Sequence, residues 1–262
     1  MRRVLCAVLL AVLALGRVDG AGLPFSLSFT ASTDLVNIGS DASIANVGTG
    51  TMVAWAYPTS VATPGKRIYQ KGVSALNSTY IYLSFADGAS GNIGFNYKRT
   101  TDLIVTSATT VAQANQWQFV AATWDVNAAA ATDQRLYYGT LTTPASEPTY
   151  VTQQTGSGAH TSESSIAGFI GNKSNGSNQL SGSMAIFGLW TRVLSQDEIR
   201  RQQFVAARPV SLVNCAAFYV LAANGTGRVL NQCTPSVNNG TITGARATNA
   251  VLPFVGPRRP RL

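Results

Sequence analysis

Residues 180–199 read LSGSMAIFGLWTRVLSQDEI. An apolar run with strand character ends at Thr191-Arg192 and passes directly into Ser195-Gln196-Asp197-Glu198. That tetrad has the S-x-x-E spacing of a capping box. The Ser195 hydroxyl can accept from the Glu198 backbone N–H while the Glu198 carboxylate reaches back to the Ser195 N–H. The spacing predicts one short helix over 195–207, stopped before Pro209. A last core strand followed at once by a single capped helix closes one kind of all-β sandwich.

The chain on either side reads as strands. Candidates fall at 25–29, 35–38, 51–57, 67–70, 80–85, 92–97, 117–124, 135–139, 166–170 and 183–190. The third stops at Pro58, which suits a strand end. Asp87-Gly88-Ala89-Ser90-Gly91 is a hairpin turn between two of them. Their recurrence with polar turns between is the pattern of a two-sheet antiparallel sandwich. Residues 128–131, an alanine run, and 172–179 (NKSNGSNQ) read as loops. Beyond the helix, 216–221 is a strand candidate and 238–244 a turn into a short strand. A separate small domain over 208–250 is the alternative, but its apolar content is small for an independent core.

Of 262 residues only 11% are charged, against about 25% in ordinary domains; Ser, Thr, Asn and Gly take their place. Arg2 and Arg3 followed by the apolar run 4–15, too short to span a bilayer, have the form of a signal peptide over residues 1–20; a retained membrane anchor is the alternative. Residues 21–250 are expected to form the folded domain, and 251–262 a Pro- and Arg-rich tail. Loss of the leader would lower the formal charge from +8 to about +6 and leave Cys215 and Cys233. Two such cysteines in an exported chain are expected to pair; two buried thiols are the alternative. The positive charge is scattered, with no basic stripe interleaved with aromatics, so nucleic acid is a poor partner. No membrane span is expected once the leader is gone.

The inventory argues against catalysis. Glycoside hydrolysis needs two carboxylates facing one site, and the chain has three glutamates, Glu147, Glu163 and Glu198, the last used in capping. His160 is the one histidine. It is expected as a solvated loop residue, with no G-x-S-x-G elbow to serve and no companion for a usual zinc site. Trp55, Trp117, Trp124 and Trp190 are expected in the core. Tyr80, Tyr82, Tyr97, Tyr137 and Tyr138 flank loops and are better placed at a rim. Five N-x-S/T sequons occur, at Asn77, Asn172, Asn175, Asn224 and Asn239.

Five pieces in order resemble the laminin-G-like, concanavalin A-like lectin/glucanase superfamily: STDLVNI (32–38), TMVAWAYP (51–58), IYQKG (68–72), QWQFVAATWD (116–125) and 170–199. A sixth, 216–244, resembles a segment that often opens such domains and here comes late. The resemblance covers about 25–245 and implies an all-β antiparallel jelly-roll sandwich with one short helix in the C-terminal half. It implies non-catalytic binding, of a glycan or a cell-surface protein, through loops at one edge of the sandwich. The expected ligand-binding residues are Tyr80, Tyr82, Asp87, Tyr97, Asn172 and Asn175. The family often holds a structural Ca²⁺. Asp34 matches one of its carboxylates, but Ala185 stands where the other is usual, and one carboxylate is a poor cage for a cation wanting about six to eight oxygens. The expected location is extracellular. A structural protein on a virion surface is the alternative, and a degenerate glycosidase is a third.

Overall fold

The computed structural model describes residues 26–62, 65–73, 79–129, 134–205, 207–222 and 227–248. The expected leader, the tail, half of the alanine run (130 and 131) and the sequons at Asn77 and Asn224 lie outside them. Among the described residues sixteen strands run in chain order. They are β1 (Ser26–Phe29), β2 (Leu35–Asn37), β3 (Thr49–Pro58), β4 (Lys66–Val73), β5 (Thr79–Phe85), β6 (Ile93–Tyr97), β7 (Leu103–Ser107) and β8 (Gln118–Asp125). Then come β9 (Arg135–Gly139), β10 (Tyr150–Gln154), β11 (Gly168–Ile170), β12 (Gly182–Trp190), β13 (Cys215–Val220), β14 (Arg228–Val229), β15 (Gly240–Thr243) and β16 (Arg246–Thr248). Among the described residues one α-helix, α1 (Gln196–Phe204), follows β12.

Two antiparallel sheets result. The seven-stranded one has the order β16-β1-β12-β3-β8-β9, with β13 also paired to β12; the nine-stranded one has the order β10-β7-β6-β5-β4-β11-β2-β15-β14. The segment after the helix adds β13 and β16 to one sheet and β14 and β15 to the other, so it is no independent unit. Strands β7, β10, β14 and β16 extend the sheets beyond those expected from the sequence.

The main core lies between the sheets, with Phe95 stacked on Trp124 at 4.7 Å and Tyr69 on Phe187 at 4.9 Å. A second apolar cluster covers the outer face of the seven-stranded sheet: Trp55, Phe119, Ile186, Trp190 and Phe218 pack with Leu194 and Ile199 from the helix region. Strand β12 is therefore buried at all nine positions rather than at alternate ones, as a strand covered on both faces must be.

The capping box forms as expected. Ser195 N donates to Glu198 Oε2 at 2.9 Å, and Glu198 N donates to Ser195 Oγ at 3.2 Å. Arg192 grips the same carboxylate from two nitrogens, at 2.9 and 2.6 Å. These bonds, led by that from Arg192, outweigh burial and hold Glu198 down at about 2. The helix ends at Phe204, short of the expected 207, with Val205 as its C-cap. The four tryptophans are core residues: Trp55, Trp124 and Trp190 donate their indole N–H groups to Gln203 O, Val47 O and Ser211 O. Cys215 and Cys233 are joined in a disulfide across 5.5 Å between Cα atoms.

Candidate functional site

The outer face of the nine-stranded sheet, at its centre, gathers polar and aromatic side chains. Side chains alternate across a strand, so Ile81, Leu83 and Phe85 in the core send Tyr80, Tyr82 and Ser84 outward. Register then places Asn96, Tyr82, Gln70, Phe169 and Asn37 in one row across β6, β5, β4, β11 and β2. A parallel row holds Arg67, Ser84 and Gly94.

At the centre is a stack. The Arg67 guanidinium lies 3.6 Å above the Tyr82 ring, Tyr82 stacks on Tyr80 at 5.5 Å, and Lys98 Nζ lies 5.9 Å from the Tyr80 ring. Asp87 closes one side: Tyr82 OH donates to its Oδ1 at 3.0 Å, and Arg67 Nη1 lies 3.9 Å from the same oxygen. Burial pushes the Asp87 carboxyl up, against the pull of Arg67 and of the Tyr82 hydrogen bond. Asp87 occupies the space where a Cβ on Gly94 would stand, which accounts for glycine in mid-strand. Three buried polar atoms on this face have no hydrogen-bond partner among the described residues: Arg67 Nη1, Ser84 Oγ and Asn96 Oδ1.

Two loops distant in sequence converge beside the stack. Gly65 N donates to Ala86 O at 2.7 Å, and Arg67 N donates to Asn178 O at 2.9 Å. The start of β4 thus ties the 86–92 loop to the 172–179 loop. Gly65 has φ +83°, and a side chain there would meet the Asn178 amide. Burial lowers the Lys66 and Lys173 ammonium groups, and Arg67 depresses Lys173 further. The exposed rim carries Gly88 and Ser90 from one loop and Ser174, Asn175 and Ser177 from the other.

The residues expected to bind divide. Tyr80, Tyr82, Asp87 and Asn175 belong to this edge, with Tyr80 partly exposed, Tyr82 buried between Arg67 and Tyr80, and Asn175 at a loop tip. Two others do not face it. Tyr97 shares the inward parity of Ile93 and Phe95 and is 3% exposed in the core. Asn172 is fully buried; its Nδ2 donates to Ser32 O and Asp34 O, and its Oδ1 accepts from Lys173 N and Asn178 N. It builds the loop instead of presenting itself. Tyr137 is buried in the cluster under the helix, and Tyr138, half-buried, packs partly against the core and lies away from this edge, beside Ser146 and Thr149. Arg67, Gln70, Asn96 and Lys98 went unremarked in the sequence; their signal is polar residues alternating with core residues in β4 and β6.

Asp34 Oδ2 accepts from Thr30 N at 2.7 Å and Ala31 N at 2.8 Å, closing a turn, and Ala185, where a second carboxylate is usual, sits in the apolar cluster under the helix. Among the described residues no group of three His, Cys, Asp or Glu could hold a metal.

His160 is not a solvated loop residue. Its side chain is 11% exposed, its Nδ1 lies 2.6 Å from Lys98 O, its Nε2 lies 2.5 Å from Glu163 Oε2, and its ring packs on Tyr97 at 4.5 Å. Glu163 also accepts from Asn46 N at 2.6 Å. Burial pulls the imidazole pKa down, but the Glu163 and Lys98 hydrogen bonds overcome it and the net direction is up. For Glu163 burial pushes up, His160 and the backbone donors pull down, and the net direction is down. The other glutamates are also engaged: Glu147 with Arg135 at 2.6 Å, and Glu198 in the cap.

A family model described as the concanavalin A-like lectin/glucanases superfamily matches residues 30–200. No curated protein matches the sequence. Among solved structures, a protein of Bacteroides ovatus ATCC 8483 described as a proposed carbohydrate binder superposes with TM-score 0.57 at 14% identity, over 90% of this chain and 62% of that one. The chain therefore spans less than two thirds of that protein. The CBM40 module of a Ruminococcus gnavus IT-sialidase, bound to α2,3-sialyllactose, gives TM-score 0.44 at 13% identity over 68% of this chain and 97% of that one. Domains LG4-5 of the mouse laminin α1 chain give 0.42 at 14% identity, over 68% and 45%. The first likeness shows the fold; the other two carry no argument. No helix of the described residues is long and apolar enough to cross a membrane.

Proposed function

The chain belongs to the concanavalin A-like lectin/glucanase superfamily, and we propose that it is an extracellular, non-catalytic module that binds glycans at the edge formed by the 86–92 and 172–179 loops. The observation that carries this reading is the convergence of both loops on Gly65 and Arg67. It sets a hydrogen-bonding rim of Ser, Asn and Gly beside the Arg67–Tyr82–Tyr80 stack. Small-molecule sites combine an apolar or aromatic surface with a few precisely placed polar groups that fix orientation; here the partly exposed Tyr80 supplies the aromatic edge. The loops are pre-formed, Asn172 locking one and Asp87 the other, so little ordering cost remains on binding.

The non-catalytic part is supported by the glutamates: each is held in a structural pair, so none of the three is free to serve as one of the two facing carboxylates that hydrolysis needs. The extracellular part is supported by the disulfide, since such bonds persist in oxidising compartments. The test is a glycan array probed with the purified chain. Binding to a defined group of glycans is expected; an empty array beside firm binding to a cell-surface protein would redirect the site to protein recognition. Release of reducing sugar from any arrayed glycan would overturn the non-catalytic reading.

A further inference from the structure

On the other side of the sandwich the segment after the helix forms a groove of about 560 Å³, lined by Arg201, Val205, Arg208, Val210, Leu212 and Gln232 among others. Among the described residues, two of the large exposed apolar side chains line it, Val205 and Leu212, and Val213 adjoins Leu212 in sequence; Val151, Phe204 and Leu230 are exposed too but do not line it. Leu212 is 67% exposed, Val213 66% and Val205 37%. Val193 is 43% exposed, and the side chain of its neighbour Arg192 donates to Val213 O. Aliphatic surface left in water at one place marks an interaction site, whereas scattered exposed residues need no explanation.

Three features define what fits. The groove is cationic: Arg201 and Arg208 are exposed at its rim, and no carboxylate lines it. It is concave, whereas insertion into a bilayer needs a protruding apolar element. It is also rigid. Gln202, fully buried, donates to Arg208 O at 3.1 Å and accepts from Val210 N at 2.6 Å, clamping one wall. The Cys215–Cys233 disulfide and Asn231, which donates to Ala216 O and Val237 O, fix the other. A two-fold pairing of this surface with itself would set Arg201 and Arg208 against a groove that holds no carboxylate.

We infer that this groove is a docking site for a partner protein, taking a segment in which a bulky aliphatic or aromatic side chain stands beside carboxylates. The apolar side chain fills the space between Val205 and Leu212, and the carboxylates meet Arg201 and Arg208. The site is independent of the proposed glycan edge, which lies on the outer face of the opposite sheet, so the module could join a glycan to a protein.

The test uses the whole chain and a library of synthetic dodecapeptides carrying Leu or Phe flanked by Asp or Glu, read by fluorescence polarisation. Matched libraries replace the acids by Lys or the apolar residue by Ser. Acidic-apolar peptides are expected to bind, and binding should fall at least tenfold in Leu212→Ser and in Arg208→Glu. Both substitutions are on exposed side chains and should leave the melting temperature and glycan-array profile unchanged. The inference is overturned if no acidic-apolar peptide binds, or if Lys-substituted peptides bind equally well. It is also overturned if Leu212→Ser instead abolishes binding to phosphatidylserine vesicles, which would make the occupant a membrane. Loss of a concentration-dependent dimer in sedimentation would make it a second copy of the chain.

Discussion

Replacing Glu163 by Gln should convert a pH-dependent stability into a nearly flat one. His160 has a raised folded pKa, so its contribution is present in full below its ordinary value of 6.5 and is lost as pH rises through the folded value. Glu163 has a lowered folded pKa, so its contribution is present in full above 4.5 and is lost as pH falls through the folded value. Both are complete together between 4.5 and 6.5, which is where the pair adds most. The Glu163 side chain is 1% exposed and that of His160 11%, so water screens the pair little. Breaking a buried pair from one side costs about 3–5 kcal/mol. The imidazole can shed its proton rather than stay charged and alone, which places this case near 3 kcal/mol. For a domain of this size that is a fall in Tm of about 6–12 °C. The assay is thermal melting of both proteins from pH 4.5 to 8.5. It is joined by an NMR titration of the imidazole, which gives one resonance because the chain has one histidine. The gap in Tm should be widest near pH 5.5 and narrow above pH 8, and the imidazole pKa should drop in the variant. A wild-type imidazole titrating at or below 6.5, or a variant melting within about 2 °C of wild type at pH 5.5, would refute the reasoning.

Other outcomes follow from the same structure. Reducing the Cys215–Cys233 bond, or the Cys233→Ser variant, should cost about 3 kcal/mol in urea unfolding through the unfolded state. Glu198→Gln should cost about 1–2 kcal/mol near neutral pH, since it weakens both the cap and the paired contacts with Arg192. That contribution is complete above 4.5 and disappears as pH falls toward about 2, so the two proteins should converge in acid melts. Adding millimolar Ca²⁺ or EDTA should leave Tm unchanged, because Asp34 Oδ2 is engaged by the Thr30 and Ala31 amides and Ala185 offers no second carboxylate; a rise with Ca²⁺ would contradict this.

What the sequence displays, and what it hides, follows from the range of the interactions. The capping box is local, and its two hydrogen bonds form between Ser195 and Glu198 as the spacing requires. The hairpin around 87–91 is equally local. Tyr97 was legible but misread: Ile93 and Phe95 share its parity, and period-two alternation alone sends it inward. Strand β7, LIVTS, buries alternate residues and was also open to that reading. Strand β10, YVTQQ, was not, because none of its residues is fully buried. His160 lies among Gly, Ser and Thr, which look like solvated loop, and its burial depends on Lys98, 62 residues away. Asn172 is hidden in the same way by Ser32, 140 residues away. The joining of the two candidate loops at Gly65 and Arg67 is a property of sheet order, which no local pattern encodes.

The most direct measurement of the central claim compares wild type, Ser90→Arg and Asn175→Arg on one glycan array. Each substitution places a bulky charge on an exposed position of a different loop, 85 residues of sequence apart, without touching the core. If the two loops form one binding edge, both variants lose the same glycans that wild type binds while keeping its melting temperature. If either variant retains the full wild-type profile, the two loops do not share a site and the proposed edge is wrong.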